Sequence, residues 1–503
     1  MWSPPAPSAC TASSSPARGR RWPTCTTFWK KKLSNWKPVI GNSRTVLCSP
    51  ETNSGLPITS YDVSQENDMT AIKKLLKHPL ATWRGINPSA RQFLISNGLF
   101  GLFWSGWALF FNFYILGLGF DRKFLGLVQG APALAMLLFC LPMGWVSDRI
   151  GRRSALLIGV TVLILGFGVV ALSDNPNVIL AGAFVGGVGD ALFVVSVSPL
   201  LAGLTQPQNR SLVFSLNMAS MTFASMFGNY LAGQLPKTLE YLFGLAAGGG
   251  ESYRAIVLLS TALSLLSIIP LFRIHMPMHD GEAEGADHHV VQSGKMQDIL
   301  QNKTVWKLVV PNLIMGFGAA LLIPYFNLYL VDRFAVSDAT LGFVFGFQSL
   351  VIAGGLLVGP RLERMLNSRV RAVVASQGTS MLFMLALWLS PTLPLAVLAL
   401  WLRGGIINIA APLWDAFVMD QVPPKAQGTV ASLQMLTWQA GWAVGPYISG
   451  LVQESAGFSP LFITTSLLYV VAISLTWTWF HGHERRSVSA AAPVAQAEAA
   501  VAN

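Results

Sequence analysis

Two charged residues, Asp190 and Arg403, stand inside long apolar runs of the sequence. Each precedes a proline by nine residues, Pro199 and Pro412, so they hold the same place in two similar stretches. A charge at the centre of a membrane-spanning helix costs roughly 2.5–3.5 kcal/mol on insertion scales, so it must face water or a partner. This acid and base can pair with each other as a structural ion pair. Alternatively they stand apart and serve a proton and a solute separately. Asp415, beside Trp414 near the end of the same run as Arg403, either exchanges protons with nearby solution or snorkels to the surface. Four amides inside apolar runs, Asn112, Asn327, Asn217 and Gln434, need hydrogen-bond partners and should point inward. Tyr114, Tyr329, Trp438 and Trp442 offer aromatic walls for an amphipathic solute, although the tyrosines lie near run ends, where anchoring or packing is the commoner use.

Other chemistry is missing. No Ser-His-Asp, His-Glu-x-x-His or nucleotide-binding pattern supports an enzyme, so no residue is expected to be catalytic. The four cysteines, Cys10, Cys25, Cys48 and Cys140, lack metal-ligand spacing, and Cys140 reads as a small buried hydrophobe. The acidic, His-rich run His279–His289 reads as solvated linker rather than a metal site. The chain is 52% hydrophobic and 11% charged, against roughly 25% charged for soluble domains. Its net charge of +11 is scattered between apolar runs, without the modules of a nucleic-acid reader, so no nucleic-acid partner is expected.

The elements that must position these residues are helices long enough to cross a bilayer, about 20 residues each. Twelve such spans are expected at 93–118, 124–146, 154–173, 178–204, 211–234, 255–272, 306–330, 340–360, 371–390, 394–419, 428–452 and 459–480. Residues 1–90 read as a polar leader, either a disordered tail or an over-extended start with Met69 as natural initiator; a transit peptide is the further alternative. Within it, 70–83 form a basic amphipathic lead-in at the membrane surface. The expected division is 91–275 as an N-terminal six-helix half, 276–304 as a cytoplasmic linker, 305–482 as a C-terminal half and 483–503 as a disordered cytoplasmic tail. From Met69 onward, Lys and Arg number 20 on one side of the spans and 5 on the other (Arg122, Lys123, Lys237, Arg254, Arg333), which places both termini inside.

The halves repeat each other in the same direction. Phe111-Asn112-Phe113-Tyr114 recurs as Phe326-Asn327-Leu328-Tyr329. Gly144, four residues before Asp148-Arg149, recurs as Gly359, four before Glu363-Arg364. Ser215-Leu216-Asn217-Met218 recurs as Ser432-Leu433-Gln434-Met435, and Gly228 and Gly233 as Gly445 and Gly450. A parallel repeat of two six-span halves implies a cavity between them near the midplane, with rocking about a pseudo-twofold axis. Inverted-repeat permeases are thereby disfavoured.

The connection between spans 2 and 3 reads Gly144-Trp145-Val146-Ser147-Asp148-Arg149-Ile150-Gly151-Arg152-Arg153. With the twelve spans, it resembles the signature loop of the major facilitator superfamily, over about residues 90–482, and is closest to its drug and solute antiporter-like branch. The resemblance implies an all-α membrane protein of twelve transmembrane helices in two parallel six-helix repeats, with spans 4 and 10 lining the cavity. It also implies that Asp148 meets the positive N-terminus of span 11 near Gly428 and latches an outward-open state. Gly144 would permit close packing there, while Arg149, Arg152 and Arg153 would pair with carboxylates. Two departures weaken an antiport assignment: Ala183 stands where drug–proton antiporters carry Arg, and Gly228-Asn229 replaces the usual Gly-Pro, found instead at Gly445-Pro446.

The expected function is secondary transport of small organic solutes by alternating access, with proton-coupled efflux of amphipathic compounds as the leading form. Uptake of a sugar or metabolite by symport is the alternative, and a non-transporting sensor of the same fold is a further one. The expected partners are a small-molecule substrate and the lipid bilayer, for a monomer in the plasma (cell inner) membrane. No cofactor is expected; a proton gradient is the candidate driving force.

Overall fold

The computed structural model describes Trp83 and residues 85–206, 209–246, 248–275 and 301–482. The expectations for the leader up to residue 82, for most of the linker (276–300) and for the tail (483–503) lie outside the described residues. The described chain is helical throughout. Helices α1 Pro88–Gly117, α2 Arg122–Ile150, α3 Arg152–Leu172, α4 Pro176–Leu204, α5 Arg210–Phe243 and α6 Gly250–Phe272 form the first half. Helices α7 Lys303–Phe334, α8 Asp338–Leu366, α9 Arg369–Leu389, α10 Leu393–Asp420, α11 Pro424–Ala456 and α12 Ser459–Phe480 form the second. A 3-10 turn at Ile323–Tyr325 interrupts α7.

The repeat reaches into the helix ends. Asn87 caps α1 by accepting from the Ser89 N–H, as Asn302 caps α7 by accepting from Thr304. Asp121 caps α2 through the Phe124 N–H, and Ser337 stands in the same place at α8. Such caps satisfy amide donors that the first helical turn leaves open. Between α2 and α3 the chain reverses at Gly151, whose φ of 84° few other residues tolerate. The equivalent turn between α8 and α9 uses Asn367 at φ 50°, asparagine being among the few side chains that tolerate this region.

Packing follows the same symmetry. In the first half α3 packs on α4, α2 on α4, and α1 on both α5 and α6; in the second α9 packs on α10, α8 on α10, and α7 on both α11 and α12. The halves meet along two further equivalent pairs, α2 with α11 and α5 with α8. Ten of the twelve helices are long and apolar enough to cross a membrane; α5 and α11 are long but fall short in hydropathy. These are the helices expected at 211–234 and 428–452. They carry Ser225, Asn229, Gln434 and Gln439 because they face the other half and the space between, where polar groups find partners or water.

The two interfaces are not parallel seams. We call the end carrying the α1–α2 and α7–α8 connections distal, and the end carrying the arginine-rich α2–α3 and α8–α9 connections basic. Toward the distal end Gly126 lies against the backbone at Pro446 and Tyr447, Gly450 against that of Arg122, and Gly233 against Gly342, with no room for a methyl group. Toward the basic end a methyl added at Gly144, Gly354 or Gly428 would meet nothing within 4 Å. Leu138, Leu141 and Trp145 on the basic half of α2 are exposed. The halves therefore touch from the distal end as far as Cys140 and Met435 and splay beyond them toward the basic end. This corrects the expectation for Gly144, which makes no close helix contact in this conformation.

Candidate functional site

The distal seam is held by the residues of the Phe-Asn-x-Tyr repeat. The Asn112 Nδ2 donates to Asn327 Oδ1 at 2.8 Å and to the Pro324 carbonyl at 2.6 Å. Asn327 Nδ2 returns a bond to the Leu109 carbonyl at 2.8 Å, and Gln129 Nε2 donates to Asn112 Oδ1 at 2.6 Å. Two residues that are equivalent in the repeat thus bond to each other across the pseudo-twofold axis. Nearer the distal surface, Arg122 bridges to Asp332 at 2.7 Å and donates to Gln453, while the Tyr253 hydroxyl donates to Asp338 at 3.0 Å. Apart from the Gln129–Asn112 bond, all of these join one half to the other.

Asn112 is fully buried and not part of a cavity wall, which corrects its expected role. Asn217 is corrected likewise: it accepts from Asn97 Nδ2 at 2.8 Å and ties α5 to α1 within one half. Tyr114 and Tyr329 are buried rather than interfacial, and donate to the Val170 and Leu387 carbonyls at the ends of α3 and α9.

Beneath the distal seam lies a cavity with two lobes. The lobe next to the seam, about 620 Å³, is lined by Asp190, Asn327, Gln129 and Asn229 among aromatic residues including Trp104 and Trp442. The second, about 900 Å³, runs down α10 from Arg403 to Trp414 and Asp415 and includes Asn312, Gln377 and Gln434. Ile323, Phe345, Gln348, Ile352 and Trp438 line both lobes. Volumes of this order suit drug-sized molecules, and such sites are typically apolar with a few placed polar groups.

Asp190 and Arg403 do not pair. Asp190, half-buried on α4, makes no ion pair or hydrogen bond among the described residues. Arg403 is 5% exposed on α10; its Nη2 reaches the Tyr469 hydroxyl at 3.4 Å, and its guanidinium lies 5.2 Å from the centre of the Phe326 ring. Of the remaining expected residues, Asn327, Gln434, Asp415 and Trp438 do line the cavity. Gln434 bonds through Nε2 to the Leu308 carbonyl, leaving Oε1 without a partner.

Four further amides act here that the sequence reading did not single out: Asn97, which ties two helices, and Asn312, Gln348 and Gln377, which line the cavity. Asn97 and Asn312 are repeat mates, each lying 15 residues before Asn112 and Asn327, and they do equivalent work: Asn97 bonds to Asn217, and Asn312 to the Gln434 carbonyl at 2.8 Å. Their shared spacing was the available signal. Gln348 and Gln377 have no such mate, and only the presence of an amide within an apolar run marks them.

The arginine-rich loop does not engage α11. Asp148 is exposed without an ionic or hydrogen-bonding partner among the described residues. Its neighbours also depart from the expected carboxylate pairs: Arg149 stacks 3.7 Å from the centre of the Trp145 ring, Arg152 donates to the Pro199 carbonyl, and Arg153 to that of Phe272. In the second half Glu363 pairs with Arg369 at 2.8 Å, Arg369 also pairs with Asp420, and Arg364 donates to the Pro360 carbonyl. Gly359 rests in ordinary contact with Ile409 on α10.

Comparison with known proteins places these features in context. The family model described as Major Facilitator Superfamily matches residues 93–446, with a second match over 380–501. A mouse protein, "Major facilitator superfamily domain-containing protein 10", is 24% identical over 71% of this chain and 79% of its own length. "Multidrug resistance protein MdtH" of Cronobacter sakazakii is 28% identical over 27% of this chain and 33% of its own. Among solved structures, the bacterial homologue of the human lysosomal transporter Spinster, in an inward-facing and unoccupied conformation, aligns with a TM-score of 0.62 at 15% identity. That alignment covers 78% of this chain and 96% of the Spinster homologue.

Proposed function

The chain belongs to the major facilitator superfamily, a transporter rather than an enzyme, and from that premise we propose that it moves a small organic solute by alternating access, here open toward the cytoplasm. The observation that carries this reading is the wedge between the halves: closed distally through Asn112 and Asn327, splayed at the basic end, with a charged cavity between. The excess of Lys and Arg at the splayed end supports a cytoplasmic placement of that end and of both termini. The inward-facing state of the Spinster homologue, aligned along nearly its whole length, supports the same assignment.

In the return half of the cycle the halves rock together at the basic end. The Asn112–Asn327 bonds break, and Asp148 comes to the N-terminus of α11, whose partial positive charge favours a carboxylate. Solute enters the lobes from one side, and the rocking exposes it to the other. Asp190 is the group for coupling to protons: a carboxyl facing the cavity, free of a neutralising cation, can take a proton on one side and release it on the other. The aromatic lining and the multidrug-resistance relative favour efflux of amphipathic compounds from the cytoplasm, across the plasma (cell inner) membrane. Uptake of a metabolite is the second reading, favoured by the amides Asn312, Gln348 and Gln377 in the cavity wall.

The test is flux in proteoliposomes under an imposed pH gradient, for the wild type and Asp190→Asn, across a panel of neutral, cationic and anionic solutes. Gradient-driven flux that is lost in Asp190→Asn is the expected result. Flux indifferent to the gradient in both proteins would refute proton coupling, and no flux of any solute would refute the transport reading itself.

A further inference from the structure

The larger lobe holds a buried cation that the protein does not neutralise. Arg403 is 5% exposed, yet no carboxylate pairs with it among the described residues. Asp415 lies twelve residues further along α10, about 18 Å away at 1.5 Å per residue. Asp190 lines the other lobe and forms no bridge to it. A guanidinium has five N–H donors; the protein engages one of them, at the long distance of 3.4 Å to Tyr469, and Nε is buried without a partner. Gln348, 8% exposed, lies with its amide against Gly404, the residue after Arg403, and its Oε1 is also unpartnered. The cost of placing this charge inside a span is thus left without an internal counter-charge.

Resting on the transport reading above, we infer that Arg403, with the Gln348 amide beside it, is the binding site for the anionic group of the transported solute, whose apolar body lies along the aromatic wall of the same lobe. The planar fork of a guanidinium fits carboxylate, sulfonate or phosphate oxygens through two parallel bonds, which an ammonium cannot offer. The surroundings set the rest of the molecule. Phe326 and Tyr469 flank the guanidinium, Phe345 lines the same lobe, and Trp438 and Trp414 continue the wall toward the basic end. A single anionic group on an aromatic or aliphatic body satisfies both parts; an inorganic anion would leave the aromatic wall unused. A soluble aryl carboxylate and a single-chain anionic phospholipid share this chemistry.

The experiment is equilibrium binding to the purified full-length protein in nanodiscs, using matched pairs: 1-naphthaleneacetate with 1-naphthaleneacetamide, 4-phenylbutyrate with its amide, and lysophosphatidylglycerol with monoacylglycerol. The anion of at least one pair should bind about tenfold to a hundredfold more tightly than its neutral mate, the range for a charge-assisted hydrogen-bonded pair. Arg403→Gln should erase that preference while leaving the weak binding of the neutral mate, and Arg403→Lys should retain part of it. A preference confined to the lysolipid pair would assign the site to a lipid headgroup; one in the naphthyl or phenyl pair would assign it to a soluble anion. Equal affinity for acid and neutral mate throughout the wild-type panel would overturn the inference, whether or not the variants fold. So would an anion preference that survives in monodisperse Arg403→Gln. Counterflow of neutral or cationic solutes by the same preparation would leave the transport reading standing when the anion site fails.

Discussion

Replacing Asn112 by Ala should shift the protein away from the conformation described here. The substitution removes two bonds between the halves, to Asn327 and to the Pro324 carbonyl, and one within the first half from Gln129. Side-chain hydrogen bonds between membrane helices are worth about 0.6 kcal/mol on average and at most about 1.7. Two cross-half bonds therefore hold this state by about 1–3 kcal/mol, a shift of roughly 5- to 150-fold in a two-state equilibrium. The bond from Asn327 to the Leu109 carbonyl remains, as does the Arg122–Asp332 bridge. That bridge is partly exposed at 25% and 38% and contributes at most about 1 kcal/mol. The assay is pulsed electron-spin distance measurement between spin labels at positions 141 and 365, exposed on the basic ends of α2 and α8, in a cysteine-free background. The wild type should show mainly the wide distance, and Asn112→Ala a second, shorter population. Asn327→Ala should do the same, and the double variant should shift by less than the sum, because the two residues share one bond. An unchanged distance distribution in a monodisperse Asn112→Ala protein would refute the claim that this pair holds the distal end closed.

Gly126→Leu should act in the same direction by overpacking the α2–α11 seam against the Pro446 backbone, at about 1–3 kcal/mol, and the same labels would report the shorter distance. Asp148→Asn should leave membrane insertion and folding intact but slow transport in proteoliposomes, since its partner forms only in the opposite state; wild-type flux would contradict the latch. Gly151→Ala should cost about 1–3 kcal/mol of stability because its φ of 84° is open essentially to glycine alone. A lowered unfolding temperature in detergent would register that cost, and an unchanged one would deny the strain.

The fold was readable because each level of the chain agrees with the next. Apolar runs marked the spans, and the spacing of Phe-Asn-x-Tyr and of Asp148-Arg149 against Glu363-Arg364 marked the parallel repeat. Repeat positions also singled out Asn112 and Asn327, though not their mutual bond: the axis that relates them brings equivalent residues face to face, which linear spacing does not encode. Asp190 and Arg403 occupy equivalent places and still miss each other, since each carries its charge into a different lobe. Asn217 was a helix tie rather than a cavity group because its amide is taken up by Asn97 on the neighbouring α1. The idle state of Asp148 was not readable for a different reason. A sequence specifies both ends of a conformational cycle at once, and the arrangement described here is the one in which that contact is open.

The central claim is that one cavity serves both faces of the membrane in turn. Ser349 lines the lobe beneath the Asn112–Asn327 seam and becomes the probe as Ser349→Cys in a cysteine-free protein. In oriented proteoliposomes, a membrane-impermeant thiol reagent applied to either face alone should label this position, fastest from the basic face, with Asn112→Ala raising the rate from the distal face. Labelling from a single face under every condition, Asn112→Ala included, would contradict alternating access.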